Sequence, residues 1–207
     1  IRRVCELFKS HIIDILRLVE TRNIIVPFSK KEEIIKKYET LTEQDTERVK
    51  FQGPQPVSMS LNELLIDNKH SIFTEYVVTE KADGIRAQLF IDYDPKNEYS
   101  GGYLITPKME IIGTGLQFKN INGIWLFDGE YITKNRNGDP IELFMIFDVY
   151  YASDGASKYP SHAYTFPWNG IKKTDIGRSS IIQDFKNTVP VVQDNTEFRI
   201  GYKNYLD

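Results

Sequence analysis

Lys81 opens the hexapeptide KADGIR at residues 81–86, with Glu80 just before it and Asp83, Gly84 and Arg86 inside it. An apolar, β-branched run leads into this charged turn and another leads out. A lysine acts as a nucleophile only as the free amine, which a cleft position with a nearby cation, such as Arg86 or a bound metal, favours. A carboxylate paired directly with the amine would oppose that state, so the duty expected of Asp83 is to hold the turn. Gly84 permits close backbone approach or a positive φ. Two later segments put acids inside apolar strands: IWLFDGEYI at 124–132 and LFMIFDVYY at 143–151. Glu130 is the kind of ligand that suits a hard cation which keeps several waters. Singly, each feature has a plainer reading: a solvated turn for Lys81, a hairpin for Asp128-Gly129, core for Phe147.

The chain around these residues bounds what they can be. It has 207 residues with 41% hydrophobic and 27% charged side chains, enough for one large domain with a core of its own. A net charge of −3 excludes a protein that coats nucleic acid over its whole surface, so any RNA contact needs a local basic face. One cysteine, Cys5, excludes an internal disulfide and a multi-cysteine zinc site. The three histidines, His11, His70 and His162, have no ligand spacing. The first twenty residues have neither a signal-peptide pattern nor an uninterrupted apolar span. With no initiator methionine, the chain reads as cut from a longer one.

Apolar residues at Val4, Leu7, Phe8, Ile12, Ile15, Leu16 and Val19 predict a helix over 1–20. Ser29 and Glu32 have capping-box spacing and predict a second helix from Ser29; Ser60 and Glu63 predict a short third one. Residues 40–50 read as a linker or solvated helix. Strands are expected at 73–79, 85–93, 103–106, 124–132 and 141–150. YDPKNEYSGG, GTG at 113–115 and KNRNGDP are the expected turns. A polar loop to about residue 170, a helix near 177–187 and a strand at 197–203 follow. Strands linked by tight turns predict an antiparallel sheet and an α+β fold, with residues 1–50 as a helical N-terminal extension or inter-domain segment and 51–207 as the main domain.

KADGIR resembles the K-x-D-G-x-R motif of the covalent nucleotidyltransferases: DNA ligases, RNA ligases and mRNA-capping guanylyltransferases. The DGE and FD strands follow in the same order, and the resemblance covers roughly residues 51–203. It implies that Lys81 attacks an α-phosphate to form a lysyl-nucleotide phosphoramidate. Glu80, Asp83, Gly84, Arg86, Lys108, Glu130 and Phe147 are then nucleotide-binding, with Phe147 stacked on the purine. Glu130 and Asp148 are the implied ligands for Mg²⁺ or Mn²⁺.

GPQPVSMSL at 53–61 and TEKADGIR resemble multifunctional capping enzymes of large DNA viruses of the African swine fever type. That resemblance implies GTP and 5′-diphosphate RNA as substrates. It also implies a longer chain with RNA triphosphatase and methyltransferase domains, and a cytoplasmic setting at a viral replication site or in the virion. An ATP-dependent polynucleotide ligase and a non-catalytic RNA- or subunit-binding module are the alternative readings. The family's fourth motif, its lysine-rich fifth motif and the C-terminal OB-fold domain are not found by residue 207, so the domain is expected to be incomplete at its C-terminus.

Overall fold

The computed structural model of the chain describes residues 2–21, 24–44, 48–53, 58, 60–65, 79–152, 178–193 and 197–204. The architecture is mixed α and β, organised on one seven-stranded sheet. Its strands are β1 (Ile85–Asp92), β2 (Tyr99–Ile105), β3 (Ile111–Lys119), β4 (Trp125–Lys134), β5 (Pro140–Tyr151), β6 (Val191–Gln193) and β7 (Arg199–Tyr202), in the order β6-β3-β2-β1-β4-β5-β7. Among the described residues three helices accompany them: α1 (Arg2–Thr21), α2 (Phe28–Leu41) and α3 (Arg178–Thr188), with one 3₁₀ turn at Leu61–Leu64.

Side-chain alternation along the central strands produces two cores, one on each face. Ala87, Leu89 and Ile91 of β1 join Trp125, Phe127 and Tyr131 of β4 beneath Ile181, Ile182 and Phe185 of α3. On the other face Phe90, Ile105, Leu126, Tyr150 and Tyr151 pack with Ile34 and Tyr38 of α2. Lys30 and Lys37 of α2 also reach the buried Asp92 at 2.5 and 2.6 Å, tying the helix to the end of β1. A buried carboxylate needs such partners to stay charged.

The structure corrects several expectations. The sheet is not wholly antiparallel, because β7 runs parallel to β5, pairing Leu143 with Arg199 through Ile146 with Tyr202. Helix α2 begins at Phe28 with Pro27 as its N-cap and no side-chain cap, so the Ser29–Glu32 capping box does not form there. Pro27 fits because the first helical amides lack partners anyway, and its carbonyl accepts from Lys30 N–H at 2.9 Å. GTG is not a turn but lies inside β3, which the sequence reading missed along with β6.

The cause at GTG is a bulge. Gly101 pairs with Gln117 and Tyr103 with Gly113, so residues 114–116 face the single Gly102. Gly115 takes a φ of 73° and Thr114 Oγ1 donates to the Gly102 carbonyl at 2.7 Å. Such residues read as a turn locally while the pairing partner keeps them in the sheet. The expected hairpin at 135–139 does form, with Gly138 at φ 86° and Asn135 Oδ1 accepting from Asn137 and Asp139 N–H. The expected strand at 73–79 falls almost wholly outside the described residues, as does most of the loop after Tyr151.

Gly129 sits close against β5. A Cβ there would overlap the Phe144 ring and lie 2.6 Å from the Met145 carbonyl oxygen. Gly129→Ala is therefore expected to lose about 1–3 kcal/mol through overpacking. Urea unfolding with an unchanged slope would read this as a lower midpoint.

Candidate active site

The charged turn enters β1 at the end of the sheet where β4, β5 and β7 converge. Glu80, Lys81, Asp83 and Gly84 are exposed, and two hydrogen bonds bracket them. Before Lys81, Thr79 Oγ1 donates to the Asn204 carbonyl at 2.8 Å. After it, Gly84 N–H donates to Glu130 Oε1 at 3.0 Å. Gly84 leaves no room for a side chain, since a Cβ would lie 2.5 Å from the Tyr131 carbonyl oxygen. The lysine turn and the DGE strand thus meet through a glycine that the backbone approach requires.

Register places the next residues. Arg86 pairs with Glu130 and Gln88 with Asp128, so all four share the α2 face. Asp128 is fully buried and takes Arg86 Nε at 3.2 Å and Nη2 at 2.6 Å. The Tyr150 hydroxyl accepts from Arg86 Nη2 at 3.0 Å and donates to Asp128. Burial pushes the Asp128 carboxyl above the ordinary carboxylate range, while Arg86 and Tyr150 act to hold it down. The Tyr150 hydroxyl is raised by its own burial and by the adjacent carboxylate.

Two irregularities in β5 set its side chains. Asp128 pairs with Asp148 but Gly129 pairs with Ile146, which leaves Phe147 as a surplus residue. Leu126 pairs with Tyr151 and Phe127 with Val149, which leaves Tyr150 as a second. Each bulge re-aims a side chain that strict alternation would send elsewhere. Phe147 is only half-buried, and Lys203 Nζ lies 5.3 Å from its ring centroid. Lys203 is held just past β7 by its N–H, which donates to the Ile146 carbonyl at 2.9 Å.

Asp148 turns toward the start of α3, where Arg178 Nε stands 3.2 Å away. Burial raises its carboxyl to about 7, against the pull of Arg178. Lys108 is exposed in the β2–β3 turn, at the same end of the sheet as the start of β1 by the β1–β2 register. Asp128, Tyr150, Arg178 and Lys203 are not among the site residues expected from the sequence. Asp128 carried a usable signal: it is a charged residue in a strand of apolar ones, two positions from Glu130 and so on the same face.

Glu130 fits a hydrated divalent ion bound mainly through waters and phosphate oxygens, since such an ion needs only one or two protein carboxylates. Asp148 fits less well, being directed at Arg178. Among the described residues no group of three or more His, Cys, Asp or Glu side chains gathers to hold a metal.

A hydrogen bond and the strand register thus join the lysine turn to the glutamate strand and set Arg86 beside it. Residues 18–207 match the family model described as mRNA capping enzyme, catalytic domain. The chain belongs to that family, whose members are guanylyltransferase-type nucleotidyltransferases that use GTP and RNA with a divalent metal. No individual curated protein matches the chain. Among the described residues no helix is long and apolar enough to cross a membrane.

Proposed function

We propose that this domain is the mRNA guanylyltransferase itself, working through a covalent lysyl-GMP at Lys81. The observation that carries the reading is the Gly84–Glu130 hydrogen bond, which supports a single site made from the lysine turn and the DGE strand. Lys81 Nζ attacks the α-phosphorus of GTP, an N–P bond forms, and the bond to the bridging oxygen breaks. Pyrophosphate leaves with the electron pair and the amine proton goes to solvent. A terminal phosphate oxygen of 5′-diphosphate RNA then attacks the same phosphorus, the N–P bond breaks and the lysine amine takes back a proton.

Glu80, Asp83 and Gly84 shape the turn, Arg86 and Lys108 supply fixed cations, and Phe147 stacks on the base. Glu130, and less readily Asp148, would hold a divalent ion, which would supply charge neutralisation on the phosphate oxygens. Further, we propose that residues 1–50 form a helical extension to a catalytic domain over 51–207. The whole belongs to a multifunctional viral capping enzyme with triphosphatase, methyltransferase and OB-fold domains, acting in the cytoplasm. TEKADGIR and GPQPVSMSL support the viral assignment.

Lys203 supports GTP over ATP. On this reading a base that stacks on Phe147 takes the place of the Lys203 ammonium over that ring. The displaced ammonium, with three donors and no acceptor, would meet the edge of the base. Guanine offers O6 and N7 as acceptors there, whereas adenine puts an amino donor beside N7. Parallel incubation with Mg²⁺ and labelled GTP or ATP tests both points on a denaturing gel. GTP is expected to leave label on the chain, and Lys203→Met to cut that labelling about tenfold or more, the worth of a good base contact. Label from ATP alone would make the protein a ligase, and no label from either nucleotide, in this chain and in the longer protein proposed above, would leave a binding module.

A further inference from the structure

The candidate site has a fourth wall that none of the roles above uses. Gln88 lies mid-strand in β1, fully buried, two residues from Arg86 and on its face. A buried amide is costly unless both its ends are bonded. Here Tyr38 of α2 donates its hydroxyl to Gln88 Oε1 at 2.8 Å, and Gln88 Nε2 donates to the Gln52 carbonyl. Gln52 N–H donates to the Tyr38 hydroxyl oxygen at 2.8 Å. These three bonds close a ring that fixes the backbone at residue 52 from two directions.

Both neighbours of Gln52 press on the arginine. The Phe51 ring centroid is 5.6 Å from Arg86 Cζ, within cation–π range. Gly53 lies so close that a Cβ would overlap Arg86 Nη2, 3.1 Å from Cζ and 3.3 Å from the Tyr150 hydroxyl. The guanidinium is therefore enclosed by an aromatic face, a glycine, the Asp128 carboxylate and the Tyr150 hydroxyl. An arginine side chain has many rotamers to lose, and a site that fixes it beforehand spares the ligand that cost.

We propose that residues 51–53 form a strap that fixes Arg86 for nucleotide binding, with Tyr38, Gln88 and Gly53 as positioning residues. The consequence for GTP rests on the guanylyltransferase reading; the immobilisation of Arg86 does not. Gly53 does not use a left-handed φ, so its backbone accepts alanine and the added methyl acts on the guanidinium.

The test compares Gly53→Ala, Tyr38→Phe and Ile34→Val with the wild-type chain. Gly53→Ala is expected to raise the KM for GTP in lysyl-GMP formation about tenfold, with kcat within about threefold, as for a lost binding contact. Tyr38→Phe should act in the same direction, by about threefold. Ile34→Val, in the core of the same helix, should lower the melting temperature and leave KM alone. NMR of the arginine Nε–H gives a second readout that needs no activity. The Arg86 proton should exchange slowly in the wild type and Ile34→Val, and fast in Gly53→Ala.

An unchanged KM together with an unchanged Arg86 signal in Gly53→Ala overturns the strap. So does an Ile34→Val chain whose KM rises as much, because the effect would then belong to a loosened helix. If the wild type takes no label from GTP or ATP, as this chain and as the longer protein, the enzymatic reading fails. The exchange of the Arg86 proton then still decides the strap: a slow proton made fast by Gly53→Ala supports it, and equal rates overturn it.

Discussion

Replacing Lys81 with alanine is expected to abolish covalent labelling by GTP while leaving the melting temperature where it was. The two halves of that result have separate causes. Lys81 is exposed, and surface substitutions away from caps, cores and buried pairs change stability by at most about 0.5 kcal/mol. Its proposed role as nucleophile is absolute, because without the amine there is no atom to which GMP can be joined. Lys81→Arg extends the test. Arginine keeps the positive charge but does not lose its proton in a protein, so it should be as dead as alanine. Partial labelling in the arginine variant would mean that charge at this position matters more than nucleophilicity. Persistent labelling in the alanine variant would move the attachment point to another lysine, with Lys203 and Lys108 the first to test.

Asp128→Ala is expected to be the most damaging single change to the fold among those considered. It removes the carboxylate that takes two Arg86 nitrogens and the Tyr150 hydroxyl, all within the α2 face of the sheet. Breaking a buried ion pair from one side costs about 3–5 kcal/mol, and Arg86, with 23% of its side chain exposed, puts the figure near the lower end. Denaturant unfolding should show that loss as a lower midpoint with an unchanged slope.

The double variant Arg86→Met, Asp128→Leu separates stability from function. Replacing both partners with apolar side chains of similar volume should recover most of the lost stability. Labelling by GTP should stay absent, since the proposed role of Arg86 goes with the guanidinium. Recovery of labelling along with stability would show that the pair is structural only.

How much of this was visible beforehand varies with the kind of signal. Strands β1, β4 and β5 were legible because each is a largely apolar run with few polar breaks, as at Arg86, Asp128 and Asp148. Helix α3 was legible to within a residue or so at either end. The sequence reading could not see β6, a three-residue edge strand that exists only because Leu116–Phe118 offer it a partner. Parallel pairing of β7 with β5 was equally hidden, because direction is set by where the chain returns and not by local pattern.

At the site, KADGIR was readable as a motif, but the partners of its arginine were not. Asp128 looked like half of an Asp-Gly turn, and Tyr150 looked like one aromatic among several in LFMIFDVYY. Lys203 follows a strand that only tertiary pairing brings to Phe147. Gln88 and Tyr38 are fifty residues apart in sequence and meet through a single hydrogen bond.

The two surplus residues of β5 make that strand a ruler. Phe147 and Tyr150 are three positions apart on one hydrogen-bonded ribbon, roughly 10 Å by ordinary strand rise and less where the bulges shorten it. One mark carries the ring proposed for the base, and the other carries the hydroxyl that orients the arginine. The spacing of their attachment points is a backbone dimension, and both marks move together if β5 shifts against β4. On the reading proposed here, a substrate is gauged by its length from the base to the group that Arg86 meets as well as by its chemistry at either end.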